Sequence, residues 1–226
     1  MRERSTEEVG KLLENSPLGS RTFVIKEPFD ARDVAAKPTM LGAAQREWFL
    51  AAMRASDARW KIWGSALMVA QMALDLRGIA DVPEAFQNLY YFKTDQWDGF
   101  RSERAEILAG LADLANVVVL SGDLHGFYAA ELRVDPDDLD AAPIAAEFTV
   151  AGISSISLYA QIAAVVATNP LLAATGLGAV VPMFDAVLST TSPHFVHAAS
   201  DRYGAAVVVV GADALEVEFL AVEGVR

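Results

Sequence analysis

The sequence predicts an α/β fold, and three observations predict it. Val117-Val118-Val119-Leu120 is a β-branched run that Ser121-Gly122 breaks sharply, as a short buried strand would end. Residues from Trp60 to Leu120 read as strand, helix and strand, the unit that sets parallel strands side by side. The chain closes on two strand-like stretches, Ala205 to Val210 and Leu215 to Val222, joined at Gly211-Ala212-Asp213 as a hairpin.

In chain order, Glu7 to Leu13 reads as a short amphipathic helix before a loop at Ser16-Pro17-Leu18-Gly19. Thr22-Phe23-Val24-Ile25 is a strand candidate. Lys26-Glu27-Pro28 is expected to end it at once and to open a polar linker. Pro38 and Gly42 then bracket the start of a helix over Ala43 to Ser56, with Trp48, Phe49, Ala52 and Met53 as its buried face.

Arg59 to Gly64 alternates polar with aromatic or aliphatic residues, as a strand does, and places Trp60 and Trp63 in the core with Trp48. Residues 66 to 76 lead away from that strand, and Leu89 to Phe92 runs into a loop dense in polar and aromatic groups, Lys93 to Phe100. A helix starting at Ser102 and ending near Leu114 buries Ile107, Leu108, Leu111 and Leu114. Asp135-Pro136-Asp137-Asp138 reads as a solvated acidic turn, since the glycine and closing glutamate of a calcium loop are missing. Ala145 to Val150 is a further strand, with Ser154-Ser155 in the turn behind it.

A net charge of −12 argues against binding a phosphate backbone, which needs clustered Lys and Arg, but leaves room for a small anion held by a metal. The chain has no cysteine, which excludes disulfides, thiolate nucleophiles and Cys-ligated zinc. A hydrophobic content of 53% marks a chain able to fill a core, and 226 residues suffice for one sizeable domain or a large piece of a bigger one. The charged stretch Met1 to Glu8 lacks an apolar run behind it, so no secretory signal is read and a cytoplasmic location is expected. From Phe148 to Phe184 no residue is charged, but Gly152, Asn169-Pro170, Gly176 and Gly178 interrupt the run. It reads as buried strand plus helix rather than a membrane span.

Chemistry concentrates at Ser121-Gly122-Asp123-Leu124-His125. A strand that ends in a glycine turn and then presents Asp-x-His can aim a carboxylate and an imidazole into one crevice, because alternate residues of an extended chain point the same way. That crevice would lie beyond the carboxyl ends of the strands, where open α/β sheets bind ligands. The competing reading has Asp123 capping a turn and His125 packed under a loop.

Taken in order, Leu41-Gly42, Gln45, Trp48-Phe49, Trp60-Lys61-Ile62-Trp63-Gly64, Asp95-Gln96-Trp97-Asp98-Gly99-Phe100, Ser121 to His125, and Glu147-Phe148 to Ser155 resemble the PhoD-like alkaline phosphatases. These form a branch of the metallophosphoesterase superfamily. Ser192-Pro193-His194 and the closing hairpin also look like the end of that domain. The resemblance runs over residues 38–226, behind an N-terminal helix and linker at 1–37. It implies the C-terminal half of a four-layer sandwich, a two-metal centre of iron with calcium, and hydrolysis of small phosphate mono- and diesters. It makes Asp123 and His125 metal ligands. Asp95 and Asp98, which flank Trp97, are expected at the substrate pocket or as ordinary turn residues, and His194 at the site or as a partly buried loop histidine. Ser154 and Ser155 are placed near the site or in a plain strand-ending turn.

Two departures bear on activity. The family's earlier metal motifs, an Asp-containing turn and a Trp-Asp-Asp-His-type loop, have no counterpart before Leu41. Gly64-Ser65 also stands where Gly-Asn is common; Ser65 could bond a phosphate oxygen but is a poor metal ligand. Full activity would then need a separately encoded N-terminal half. The alternative is a non-catalytic remnant serving as a structural or interaction module. With one covering layer absent, an exposed apolar surface and a homo-oligomer are expected, and no nucleic-acid or membrane partner.

Overall fold

In the computed structural model, which describes residues 21–80, 82–168 and 177–222, the chain is α/β. The amphipathic helix expected over Glu7 to Leu13 lies outside the described residues. The described residues form three sheets. The central one has the order β2 (Lys61–Gly64), β5 (Val117–Ser121), β7 (Ala145–Thr149), β6 (Phe127–Leu132), β8 (Phe195–Ala199). Its first three strands are mutually parallel, and β6 runs antiparallel to both β7 and β8. A second, antiparallel sheet sets β4 (Leu89–Lys93) between β1 (Thr22–Ile25) and β3 (Ala73–Asp75). β9 (Tyr203–Val210) and β10 (Leu215–Val222) make the expected closing hairpin, with Val210 opposite Leu215.

The strand–helix–strand unit is present. β2 and β5 pair in parallel, and helix α3 (Arg101–Leu111) lies between them in sequence with Ile107, Leu108 and Leu111 buried. The stretch expected to be a linker is instead helix α1 (Lys26–Ala36). Pro28 is tolerated there because its missing N–H falls in the first turn, where no helical acceptor exists. α1 is tied to the domain by charge. Lys26 pairs with Asp30 at 2.8 Å and with Asp137 at 2.6 Å, and Arg101 pairs with Asp30 at 3.2 Å and with Asp137 at 3.1 Å.

The acidic turn is therefore not merely solvated. Burial pushes the Asp137 carboxyl up, but the Lys26 and Gln71 hydrogen bonds and the Arg101 charge outweigh it and hold the group at about 2. Two further carboxylates join helices: Asp33 accepts both the amide and the hydroxyl of Ser102 at the start of α3. Buried Glu103 accepts the amides of Met40, Leu41 and Gly42 at the start of α2 (Ala43–Ala55). These are caps supplied by a neighbouring helix in place of the Ser or Asp that usually precedes one.

α2 corrects the expected core. Met53 is buried, Phe49 is half-buried, and Trp48 is 67% exposed; Trp63 is buried and Trp60 only half-buried. Helical spacing gave the right stripe, but the helix rests on the domain along one narrow edge, so the positions flanking Met53 stay wet.

One face of the central sheet, carrying Trp63, Val117, Val119, Tyr128, Ala130 and Leu132, merges with α3 and the second sheet in one core. The other face is covered in part by the hairpin. The Phe219 ring stacks on Phe127 with centroids 4.8 Å apart and meets Phe148 and His197. Gly204 allows the hairpin to close: its φ is +150°, and a Cβ there would meet the Leu220 carbonyl oxygen at 1.9 Å. Apolar side chains remain open to solvent, among them Ile62 of β2 and Val207, Val209 and Leu220 of the hairpin. The described part of the uncharged run comprises the end of β7, helix α4 (Leu158–Thr168), a short helix α5 (Leu177–Val180) and the start of helix α6 (Phe184–Thr191); Asn169-Pro170 and Gly176 lie outside the described residues. Among the described residues no helix is long and apolar enough to cross a membrane.

Leu111 is fully buried against this core. Leu111→Ala is expected to lower stability by about 2–5 kcal/mol, whereas Trp48→Ala should stay within about 0.5 kcal/mol of wild type. Urea unfolding midpoints of the two variants check both.

Candidate functional site

The parallel order of β2, β5 and β7 brings three carboxyl-terminal strand ends together. Ser65 leaves β2 with its amide donating to the Leu120 carbonyl at 2.9 Å, and Val150 leaves β7 with its amide on the Ser121 carbonyl at 2.9 Å. The turn from Gly122 to Gly126 rises between them.

That turn is not extended. Asp123 has φ +67° and His125 φ +63°, both in the left-handed region that non-glycine residues rarely enter. The alternation argument for why their side chains share a side therefore does not apply; turn geometry sets their directions. The intervening Leu124 is buried, and its amide donates back to the Gly122 carbonyl at 2.8 Å. The turn is pinned by one apolar anchor with a polar residue strained on either side, an arrangement that persists only where the surroundings enforce it.

Asp123 is exposed, and its Oδ2 accepts from Gln96 Nε2 at 3.4 Å. His125 is half-buried. Its Nδ1 lies 2.7 Å from the Ile156 carbonyl and 2.8 Å from Gln161 Nε2. A carbonyl can only accept, so the bond to Ile156 puts the proton on Nδ1. Gln161 Nε2, also a donor, then bonds the Ile156 carbonyl at 3.1 Å and not the ring, and the His125 Nε2 lone pair is left for a cation, the usual orientation of a metal-ligating histidine. The His125 carbonyl in turn accepts the Leu158 amide at the start of α4.

Under the turn lies a buried carboxylate. Glu147, in the middle of β7, accepts from the amides of Val69 at 2.8 Å and Ala70 at 2.6 Å and from Ser121 Oγ at 2.6 Å; Ser121 Oγ is also 2.8 Å from Thr149 Oγ1. Burial raises Glu147 to about 7, against the pull of the Ser121, Val69 and Ala70 bonds. Beside this network Arg104 pairs with Asp98 at 2.7 Å.

Of the residues expected at the site, the structure brings Asp123, His125 and Ser65 to the same strand ends. Ser65 Oγ donates to the Leu67 carbonyl at 2.5 Å and accepts from Trp97 Nε1 at 3.4 Å. Asp95 is exposed on the loop that supplies Gln96. Asp98 points inward: it is buried, with one oxygen on Arg104 and the other accepting the Met72 amide at 2.8 Å. His194 is buried beside Glu131 at the opposite end of the central sheet, where its Nε2 donates to the Gln71 carbonyl at 2.8 Å. Ser154 and Ser155 are exposed in the loop after β7.

Beside Ser65 an open groove is walled by Trp48, Phe49, Trp60, Trp63 and Trp97. Among the described residues no three His, Asp or Glu side chains converge as a metal cluster. Gln96, Gln161 and Glu147 were missed as functional residues. Only Glu147 left a trace, a lone carboxylate inside an otherwise apolar strand, which has to be satisfied by partners brought from elsewhere.

Comparison with known proteins bears on the family and the fold. The family model for PhoD-like phosphatases matches residues 4–219. Alkaline phosphatase D of Bacillus subtilis (strain 168) is 29% identical over 119 residues, covering 52% of this chain and 19% of that protein. A solved structure of PhoD superposes with a TM-score of 0.54 at 21% identity, covering 77% of this chain and 28% of that one. The chain thus spans under a third of the length of either relative.

Glu147 also makes the site's support sensitive to pH. Its folded value of about 7 exceeds the ordinary 4.5, so folding takes up a proton between those values. The group's contribution is fully present below the lower value and is lost as pH rises through the upper one. In urea titrations at pH 5.5 and 8.5, the wild-type midpoint should carry a fall at the higher pH that Glu147→Gln lacks. Equal pH dependence in both proteins would refute the assignment.

Proposed function

The chain belongs to the PhoD-like phosphatase family, and from that premise we propose that it contributes one corner of a metal-dependent phosphoesterase site at the carboxyl ends of β2, β5 and β7. The observation that carries the reading is the Asp123–His125 turn: an exposed carboxylate, and an imidazole whose Nδ1 is turned to a backbone carbonyl. An oxygen and a nitrogen donor on a rigid, strained turn fit a hard or borderline cation such as calcium or iron. A pair of such ions, when bound, polarises the phosphoryl oxygens and activates a water for attack.

The chain's own residues do the positioning. Gln96 orients the Asp123 carboxylate, and the Ile156 carbonyl, to which Gln161 also donates, sets the ring plane of His125. Ser65, beside Trp97, is the hydroxyl placed to meet a phosphate oxygen once it releases Leu67. Asp95 would line the outer rim, and a small phosphate mono- or diester is the substrate class. The ligands beyond Asp123 and His125 come, in this reading, from outside the described residues or from a second polypeptide, including another copy of this chain.

The test is elemental analysis of the purified chain and of its Asp123→Ala/His125→Ala variant, followed by assays on a phosphomonoester and a phosphodiester. Iron or calcium bound near stoichiometrically and lost in the variant, with hydrolysis lost alongside, is the expected result. Absence of bound metal in both proteins would favour the non-catalytic module instead. Gln161→Ala, which frees the Ile156 carbonyl that orients His125, should weaken metal binding by about 10–100-fold, measured by competition with a chelator.

A further inference from the structure

Away from the strand-end site, three side chains that each carry a buried, unpartnered polar atom line one small cavity. Arg104 of α3 spends Nη1 on Asp98 at 2.7 Å and on the Val69 carbonyl at 3.1 Å, while its Nη2 has no partner among the described residues. Arg133, just past β6, uses Nε on the Ala141 carbonyl at 2.7 Å and Nη2 on Glu131 at 2.8 Å; its Nη1 is likewise unpartnered. The third is His194, 3% exposed, with Nε2 on the Gln71 carbonyl and Nδ1 unpartnered. All three line the same small, partly open cavity with Leu108 and Pro136, and it has room for about one water molecule.

The chemistry of the three atoms selects the occupant. The Gln71 carbonyl can only accept, which fixes the His194 proton on Nε2 and leaves Nδ1 an acceptor. Burial first, and then the Arg104 and Arg133 charges, hold the imidazole below its ordinary range and so uncharged at neutral pH. The cavity therefore offers two N–H donors and one acceptor. Both guanidinium charges are already matched, by Asp98 and by Glu131. A halide would meet the Nδ1 lone pair, and a cation would meet two N–H groups.

We propose that this cavity is a binding site for a single structural water, which accepts hydrogen bonds from Arg104 Nη2 and Arg133 Nη1 and donates one to His194 Nδ1. It joins α3, the β6–β7 connection and the loop before β8, three segments far apart in sequence that meet at the end of the sheet opposite Asp123. His194 is thus a residue that holds water under the fold, and its free nitrogen is committed there.

The test is a crystal structure of the chain from crystals soaked in bromide at pH 7.5, read with anomalous scattering. Expected is one density peak within hydrogen-bond reach of all three atoms, with no anomalous signal. An anomalous peak there would show an anion site and overturn the proposal, as would a cavity without density. Nitrogen-15 spectra of the histidines give a second, independent reading in solution. His194 should show the Nε2–H tautomer with a hydrogen-bonded Nδ1, and an Nδ1–H or doubly protonated ring would also overturn it.

Discussion

The strand ends depend on one buried carboxylate. Glu147 sits in the central strand of the sheet, and its oxygens bind two consecutive amides, Val69 and Ala70, and the hydroxyl that closes β5. Leaving those donors unpaired in the interior would cost about 1–3 kcal/mol each, so the segment after β2 and the end of β5 are held to β7 from below. The burial that raises Glu147 to about 7 is the cost of this arrangement, and the Arg104 charge offsets part of it. The turn carrying Asp123 and His125 starts at the residue after Ser121, directly above that clamp.

What the clamp supports is a strained loop. Two left-handed residues within three positions are unfavourable on their own, and they persist because Leu124 is buried between them and β7 caps the preceding residue. These anchors hold the carboxylate and the imidazole at the strand ends despite that strain. Gln96, from the loop before α3, then holds the carboxylate, and the Ile156 carbonyl, itself bonded by Gln161 of α4, orients the imidazole. A family resemblance alone names the Asp and the His; the hydrogen bonds around them show how they are aimed.

The periphery is organised by the same logic on longer levers. α1, α2 and α3 have no side-chain caps of their own, and acidic side chains of neighbouring segments supply the caps for α2 and α3. The chain's negative charge is thus partly internal, spent on helix ends and on the Lys26–Asp137–Arg101 network rather than spread over the surface. Asp98, with Arg104 and Met72, belongs to this structural set.

By itself the sequence determined the elements whose cause is local. The β-branched run of β5, the hairpin at Gly211, the helix around Ile107 and Leu111, and the Gly-Asp-x-His turn are each set by residues within a few positions of one another. Three things lay beyond its reach, and all join residues far apart in the chain. The left-handed shape of the turn requires Leu124 to find a core. The inward direction of Asp98 requires Arg104 and Met72, and the place of His194 requires β8 to pair with β6. Trp48 shows the same limit on the surface, since periodicity marks which face of a helix is apolar but not how far the neighbouring layer extends over it. Propensity and spacing act over one turn or one strand, whereas burial and hydrogen-bond partnership are decided only when distant segments pack.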